Sequence, residues 1–166
     1  MRSRGKSNAG EFRKGKSWQT SKTGGRAVVR LAADANVLLA SLLGGRARLV
    51  MNNPQIEELL TPQVTFAEVQ EYAPVLARRK RLPEDMLLLA LASLPVTLIE
   101  PEAYQRSLSE AKRRIGGRDP DDVDILALAI QFQVPVWSND KDFEASGIEW
   151  YTTEDLLRKL GILNEK

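Results

Sequence analysis

The sequence predicts an α/β fold, a largely parallel sheet covered by helices on both faces. Three observations predict it. Short apolar β-rich runs alternate with helix-period segments along the chain, the pattern of parallel sheets with crossover helices. Gly and Pro signals punctuate nearly every junction, at Gly44-Gly45, Thr61-Pro62, Pro95, Pro101, Gly116-Gly117 and Gly161. The chain has 166 residues, 43% of them apolar, enough for one domain with a real core and no visible internal repeat.

Taken in order, residues 27–33 (AVVRLAA) form the first core strand, and 36–43 a helix that stops at Gly44-Gly45. A weaker strand follows at 56–60. Residues 64–79 read as a helix that Pro74 should bend or break, and 84–94 as another. The VTLI run at 96–99 is a strand between two prolines, and 102–115 a polar-faced helix closed by Gly116-Gly117. Residues 121–132 are helical, 134–137 (VPVW) and 148–151 are strands, and 153–160 is the last helix.

Composition removes whole classes of chemistry. Without Cys or His there is no disulfide scaffold, no thiol catalysis, no Cys/His zinc site and no histidine general base. Any reaction must run on carboxylates, amines, hydroxyls or a hard metal ion. The longest apolar run, 86–92, is far short of the roughly 20 residues that cross a bilayer. The expectation is a soluble protein without a membrane partner, and the absence of Cys fits the cytoplasm.

Charge is unevenly spread. Residues 1–26 hold eight basic side chains against Glu11 alone, a net of +7, and leave the remaining chain at −5. Rich in Gly and Ser and lacking an apolar period, this segment reads as a disordered basic tail joined to a domain at 27–166. A start-site artefact, an organelle transit segment and an electrostatic nucleic-acid tether all fit its composition.

In open parallel sheets, ligands bind beyond the carboxyl ends of the strands. Four segments each deliver an acid there. Asp34 directly follows the first strand, Glu68 lies in the first turn of the helix after the second, Asp122 opens the helix after Asp119-Pro120, and Asp140 follows the VPVW strand. Singly, several have ordinary roles. Thr65-x-x-Glu68 is a capping-box pattern, Asp119, Asp121 and Asp122 suit a helix N-terminus, and Asp140 could cap a short helix. Jointly they repel one another unless a cation neutralises them. An oxygen-only donor set selects Mg²⁺ or Mn²⁺, ions that typically serve phosphate chemistry. Residues two apart on a helix point about 200° from each other, so Asp122 and Asp124 cannot both face one site. Asp122 is the choice, with Asp119 or Asp121 as helpers; the same rule separates Asp140 from the supporting Asp142 if that segment is helical, and the third ligand stays open among Asp119, Asp121, Asp122 and Asp124.

The segments Asp34-Ala35-Asn36-Val37, Thr65-Phe66-Ala67-Glu68, the run from Asp119 to Ala129, and Trp137-Ser138-Asn139-Asp140-Lys141-Asp142 together resemble the PIN-domain nucleases. That family includes the toxin halves of bacterial toxin–antitoxin pairs. The resemblance spans residue 28 to about 153. It implies a three-layer α/β/α fold with a short parallel sheet, and an acidic Mg²⁺ or Mn²⁺ site cutting single-stranded RNA. Position by position it makes Asp34, Glu68, Asp122 and Asp140 the catalytic and metal-binding quartet, with Asn36 and Ser138 as small polar residues that hold it. Ser138 stands where threonine is more usual, and the tail lies outside the pattern.

Basic groups near the acids, Lys112-Arg113-Arg114 with Arg118, are candidates for RNA phosphates, and Arg78-Arg79-Lys80-Arg81 forms a second patch. The apolar helices at 64–77 and 86–94 are expected to bury against each other or against a second subunit, which makes a homodimer the expected assembly. The leading functional reading is a metal-dependent endoribonuclease, a phosphodiester hydrolase with single-stranded RNA as substrate and a protein antitoxin as partner. The alternative is a catalytically degenerate RNA-binding or adaptor protein. A haloacid-type phosphatase would need Asp-x-Asp where the chain has Asp34-Ala35-Asn36, and four dispersed acids exceed the need of a receiver-type domain.

Overall fold

A computed structural model of the protein describes residues 18–20, 27–117 and 119–164. Strand β1 (Gln19–Thr20) runs antiparallel to the start of β2 (Ala27–Ala33). Helices α1 (Ala35–Leu42) and α2 (Gly45–Met51) lead to β3 (Ile56–Pro62), and α3 (Gln63–Lys80) and α4 (Glu84–Ala92) to β4 (Thr97–Ile99). A helical run over 101–116 begins with α5 (Pro101–Tyr104) and includes α6 (Leu108–Ala111). Helix α7 (Val123–Phe132) then precedes β5 (Val136–Trp137), β6 (Trp150–Tyr151) and α8 (Thr153–Lys159).

Five strands pair in parallel in the order β4-β3-β2-β5-β6, so the expected α/β/α architecture is the one observed. The central strand β2 is buried at Val29 and from Leu31 to Ala33, because it has neighbours on both sides and helices on both faces. One core layer joins Leu31, Ala33 and Leu59 to Val37, Leu38, Val50, Val69 and Leu156. The other joins Ala32, Leu60 and Val136 to Tyr104, Ile115, Ile125 and Leu128. Successive residues of β2 thus feed opposite layers, as the strand period requires.

The departures from the sequence reading have physical causes. Helix α3 is not broken at Pro74. The carbonyl that loses its partner there belongs to Gln70, an exposed residue where water can take the bond. The expected single helix at 102–115 is instead a run of changing pitch, with a 3₁₀ turn at Gln105–Ser107 and a π turn at Lys112–Gly116. Its buried residues, Tyr104, Ser107, Ala111 and Ile115, are spaced three, four and four apart. A tight first turn and a loose last one keep that seam on α7.

Helix α2 was not expected beyond Gly44-Gly45. Both glycines adopt positive φ, 88° and 69°, so the chain reverses and starts again, and Arg48 donates to the carbonyl of Ser41 at the end of α1. Within the segment read as a tail, Trp18 packs edge-on against Tyr151 with ring centroids 6.5 Å apart, next to β1. Residues 1–17 and 21–26 of that segment lie outside the described residues.

Candidate metal centre

The sheet order reverses between β2 and β5, since β3 lies on one side of β2 and β5 on the other. A crevice at such a switch point is where an open parallel sheet presents its ligand site. Asp34 and Ser138 emerge side by side there, with Asp34 N–H bonded to the carbonyl of Trp137 at 3.1 Å.

A closed hydrogen-bond network fixes Asp34. Its Oδ1 accepts from the N–H of Ala35 at 2.8 Å, which caps α1. Its Oδ2 accepts from the Ser138 hydroxyl at 2.8 Å and from Asn36 Nδ2 at 3.1 Å. Ser138 Oγ in turn accepts from Asn36 Nδ2 and from the N–H of Asp140. Asn36 Oδ1 accepts from the N–H of Asn139, so each polar atom of Asn36 and Ser138 that can bridge the two strand ends does so. The short loop after β5 is thereby tied to the loop after β2.

On the far side of the crevice, Asp119 accepts from the N–H of Asp121 and starts a 3₁₀ turn at Pro120–Asp122 that runs into α7. This turn puts Asp122 inside the protein, 6% exposed, and its Oδ2 is buried with no hydrogen-bond partner. Carboxylate oxygens of Asp119, Asp122, Asp140 and Asp142 lie within 4.8 Å of one another, the one such group found among the described residues. Asp140 caps its own 3₁₀ segment by accepting from the N–H of Asp142, which brings both into the group.

The electrostatics match this crowding. Burial first, then the charges of Asp34, Asp119 and Asp140, push Asp122 up to about 8. Asp34 is also raised by burial, against the lowering effect of its bonds to Ser138 and Ala35, with Asp140 and Asp119 adding to the rise. Glu68 is raised by burial and then by Asp121, Asp34 and Asp124.

The expected residues therefore fall into two shells. Asp122 and Asp140 stand in the tight group together with Asp119 and Asp142, which were expected as helpers. Asp34 borders it, close enough for its charge to act on Asp122. Glu68 sits on α3 as an exposed residue outside the group, and the charges that raise it are those of Asp121, Asp34 and Asp124, none of them a member of the group. Asp124 is turned away: its Oδ2 accepts a 2.6 Å bond from the phenol of buried Tyr104, as the helix geometry required of the residue two past Asp122. Tyr104 escaped the sequence reading; an aromatic residue at the seam spacing of Ala111 and Ile115 was its only signal.

Of the expected phosphate contacts, Arg114 is otherwise committed. Its Nε bonds Glu110 at 2.7 Å and its guanidinium donates to the carbonyl of Ser146 at 2.8 Å, clamping the 101–116 run to the loop after Asp140. Arg113 is exposed and pairs with Glu110, while Arg118 lies outside the described residues.

The donor set fits a hard divalent ion. All ligand atoms are carboxylate oxygens, and a buried carboxylate oxygen without a partner is a costly arrangement that a cation would relieve. The metal-free arrangement survives by protonation, which is what the raised Asp122 expresses.

The family model described as PIN domain matches residues 32–161. No curated protein sequence matches the chain. Among solved structures, PAE2754 from Pyrobaculum aerophilum is similar at a TM-score of 0.60 and 19% identity, over 82% of this chain and 91% of that one. VapBC-1 from nontypeable Haemophilus influenzae gives 0.55 and 16%, over 76% and 99%. VapBC2 from Rickettsia felis, solved bound to a DNA fragment from its promoter, gives 0.54 and 13%, over 75% and 98%. At these identities the likeness is one of fold.

Proposed function

The chain belongs to the PIN-domain family, and on that premise we propose that it is a metal-dependent endoribonuclease cutting single-stranded RNA in the cytoplasm, as the toxin of a toxin–antitoxin pair. PIN domains form a nuclease superfamily that uses divalent metals. The observation that carries the reading for this chain is the buried, partnerless oxygen of Asp122 inside a group of four carboxylates at the sheet edge.

The residues that would hold Mg²⁺ or Mn²⁺ are Asp119, Asp122, Asp140 and Asp142, with Asp34 beside them. A bound ion supplies charge neutralisation for the phosphodiester and acidifies a water molecule. The protein's own part is to position and to tune. Ser138 and Asn36 hold the Asp34 carboxylate in one orientation, so its charge is fixed before substrate arrives. Asp122 releases its proton when a cation takes its place, which couples ion binding to pH. Glu68, exposed on α3 and within reach of the charges of Asp121, Asp34 and Asp124, is assigned to the solvent side of the site, where a proton can leave. The motif resemblance to toxin PIN domains supports an antitoxin partner. No helix among the described residues is long and apolar enough to cross a membrane. Exposed Met86, Leu88 and Leu89 on α4 support a homodimer contact.

The deciding experiment is cleavage of an unstructured RNA with Mg²⁺, with Mn²⁺ and with EDTA, alongside an Asp122→Asn control. Cleavage restricted to the metal-containing reactions and abolished in the variant supports the reading. Tight RNA binding without cleavage under any condition would overturn it in favour of an adaptor.

A further inference from the structure

The 101–116 run and the start of α7 line an open cleft. It has a volume of about 490 Å³ and is lined by Leu108, Lys112, Pro120, Val123 and Asp124. Pro120 and Val123 flank Asp121 and Asp122 in sequence, and the charge of Asp124, which lines the cleft, reaches Glu68. Its size falls within the range of small-molecule sites.

Three features give the cleft a chemical identity. Leu108, Pro120 and Val123 offer apolar surface for a flat ring. Lys112, one helical turn from Leu108, is exposed and makes no ion pair among the described residues, so its ammonium is free for an anion. Asp124 is held by Tyr104, a phenol that burial and the bond to Asp124 push well above its usual pKa and so keep as a donor. A carboxylate fixed in this way accepts hydrogen bonds and donates none, and one phenol leaves most of its lone pairs open.

We propose that this cleft is a nucleotide subsite for the RNA strand, taking a guanine base against Leu108, Pro120 and Val123, with its N–H edge on Asp124 and a phosphate on Lys112. Guanine is the base that presents two adjacent donors, N1–H and N2–H, on one edge. Uracil sets its single N–H between two carbonyls that repel a carboxylate, and cytosine and adenine set one amino group beside an acceptor nitrogen. An unstacked base in single-stranded RNA exposes that edge. The subsite rests on the RNA reading above and would give it a sequence preference next to the cut.

The test uses wild-type protein in EDTA, titrated with GMP, AMP, CMP and UMP while the backbone amides of Leu108 and Val123 are followed by NMR. GMP should perturb both and bind roughly tenfold more tightly than UMP, as expected for a paired-donor contact. Asp124→Asn keeps an acceptor for Tyr104 but adds a donor, and should erase that difference. Lys112→Ala should weaken all four nucleotides alike. Equal affinities, unperturbed amides, or a preference that survives Asp124→Asn would overturn the subsite. GMP binding of the stated kind in a protein that cleaves no RNA leaves the subsite standing and removes the ribonuclease reading. Cleavage without guanine bias at the cut does the reverse.

Discussion

The hydroxyl of Ser138 donates to Oδ2 of Asp34 at 2.8 Å, joining residues 104 positions apart across the ends of two adjacent parallel strands. Ser138 Oγ itself accepts from Asn36 Nδ2 and from the N–H of Asp140, so one hydroxyl orients two of the acids. Ser138→Ala should cost about 1–3 kcal/mol, because Asp34 would keep its burial and lose a charged hydrogen bond. Removing such an outer partner should lower RNA turnover by roughly tenfold to a hundredfold, while Ser138→Thr keeps the hydroxyl and most of both. Urea unfolding and single-turnover cleavage read the two effects separately; an alanine variant with wild-type values would show that the bond orients nothing.

The split between Asp122 and Asp124 yields a contrast within one helix turn. Asp122→Asn removes a charge from the carboxylate group and should reduce cleavage by at least roughly a hundredfold. Asp124→Asn leaves that group intact and should cost far less, on the order of tenfold at most, the scale of one base contact. Rates on a single RNA decide it. Equal reductions would mean that Asp124 swings into the metal centre when substrate binds.

Stability of the metal-free protein should fall as pH rises. Asp122 is raised from 3.8 to about 8, and burial raises Asp34 and Glu68 in the same sense. Below about pH 4 these groups are protonated in both native and unfolded chains and the native protein has its full advantage. Between there and about 8 the native protein holds a proton at Asp122 that the unfolded chain has released, so each step up in pH favours unfolding; above about 8 that decline is complete. Thermal unfolding in EDTA from pH 5 to 9 should show this decline, Asp122→Asn should flatten it, and added Mn²⁺ should reverse it at the alkaline end. A midpoint in EDTA that rises through this range would contradict the cluster's electrostatics.

Much of the site was legible because each acid follows a strand or opens a helix, and those junctions carry strong local signals. Asp34 after AVVRLAA and Asp122 after Asp119-Pro120 needed only the rule that parallel sheets bind ligands at their carboxyl edge. The grouping was less legible. Whether Glu68 or Asp142 completes a tight set depends on how far α3 stands from the β5 loop, a tertiary distance with no sequence period. The Arg114 clamp to Ser146 was hidden for the same reason, as its partner is a backbone carbonyl 32 residues away. Helix α2 was obscured because Arg46, Arg48 and Leu49 stay exposed around the buried seam of Ala47, Val50 and Met51.

The basic N-terminal segment is proposed as an electrostatic tether for RNA, and Trp18 divides it into parts with different predicted effects. Trp18 packs on Tyr151, Lys159 lies 5.2 Å above its ring, and β1 pairs with β2 directly after it, so these three residues belong to the domain. Residues 1–17 carry six basic side chains and Glu11, a net of +5. Removing residues 1–17 should leave the unfolding temperature and the turnover at saturating RNA in place. It should also flatten the salt dependence of RNA binding, by up to about 0.7 in log K per log salt for every phosphate that those side chains neutralise. Removing residues 1–26 should do the same to binding and also lower the unfolding temperature, since the Trp18 packing and the β1 pairing go with it. Binding isotherms at two salt concentrations and a thermal melt of each truncation separate tether from anchor. If the shorter truncation binds RNA with an unchanged salt slope, its charges do not reach phosphate, and the domain surface alone must account for RNA affinity.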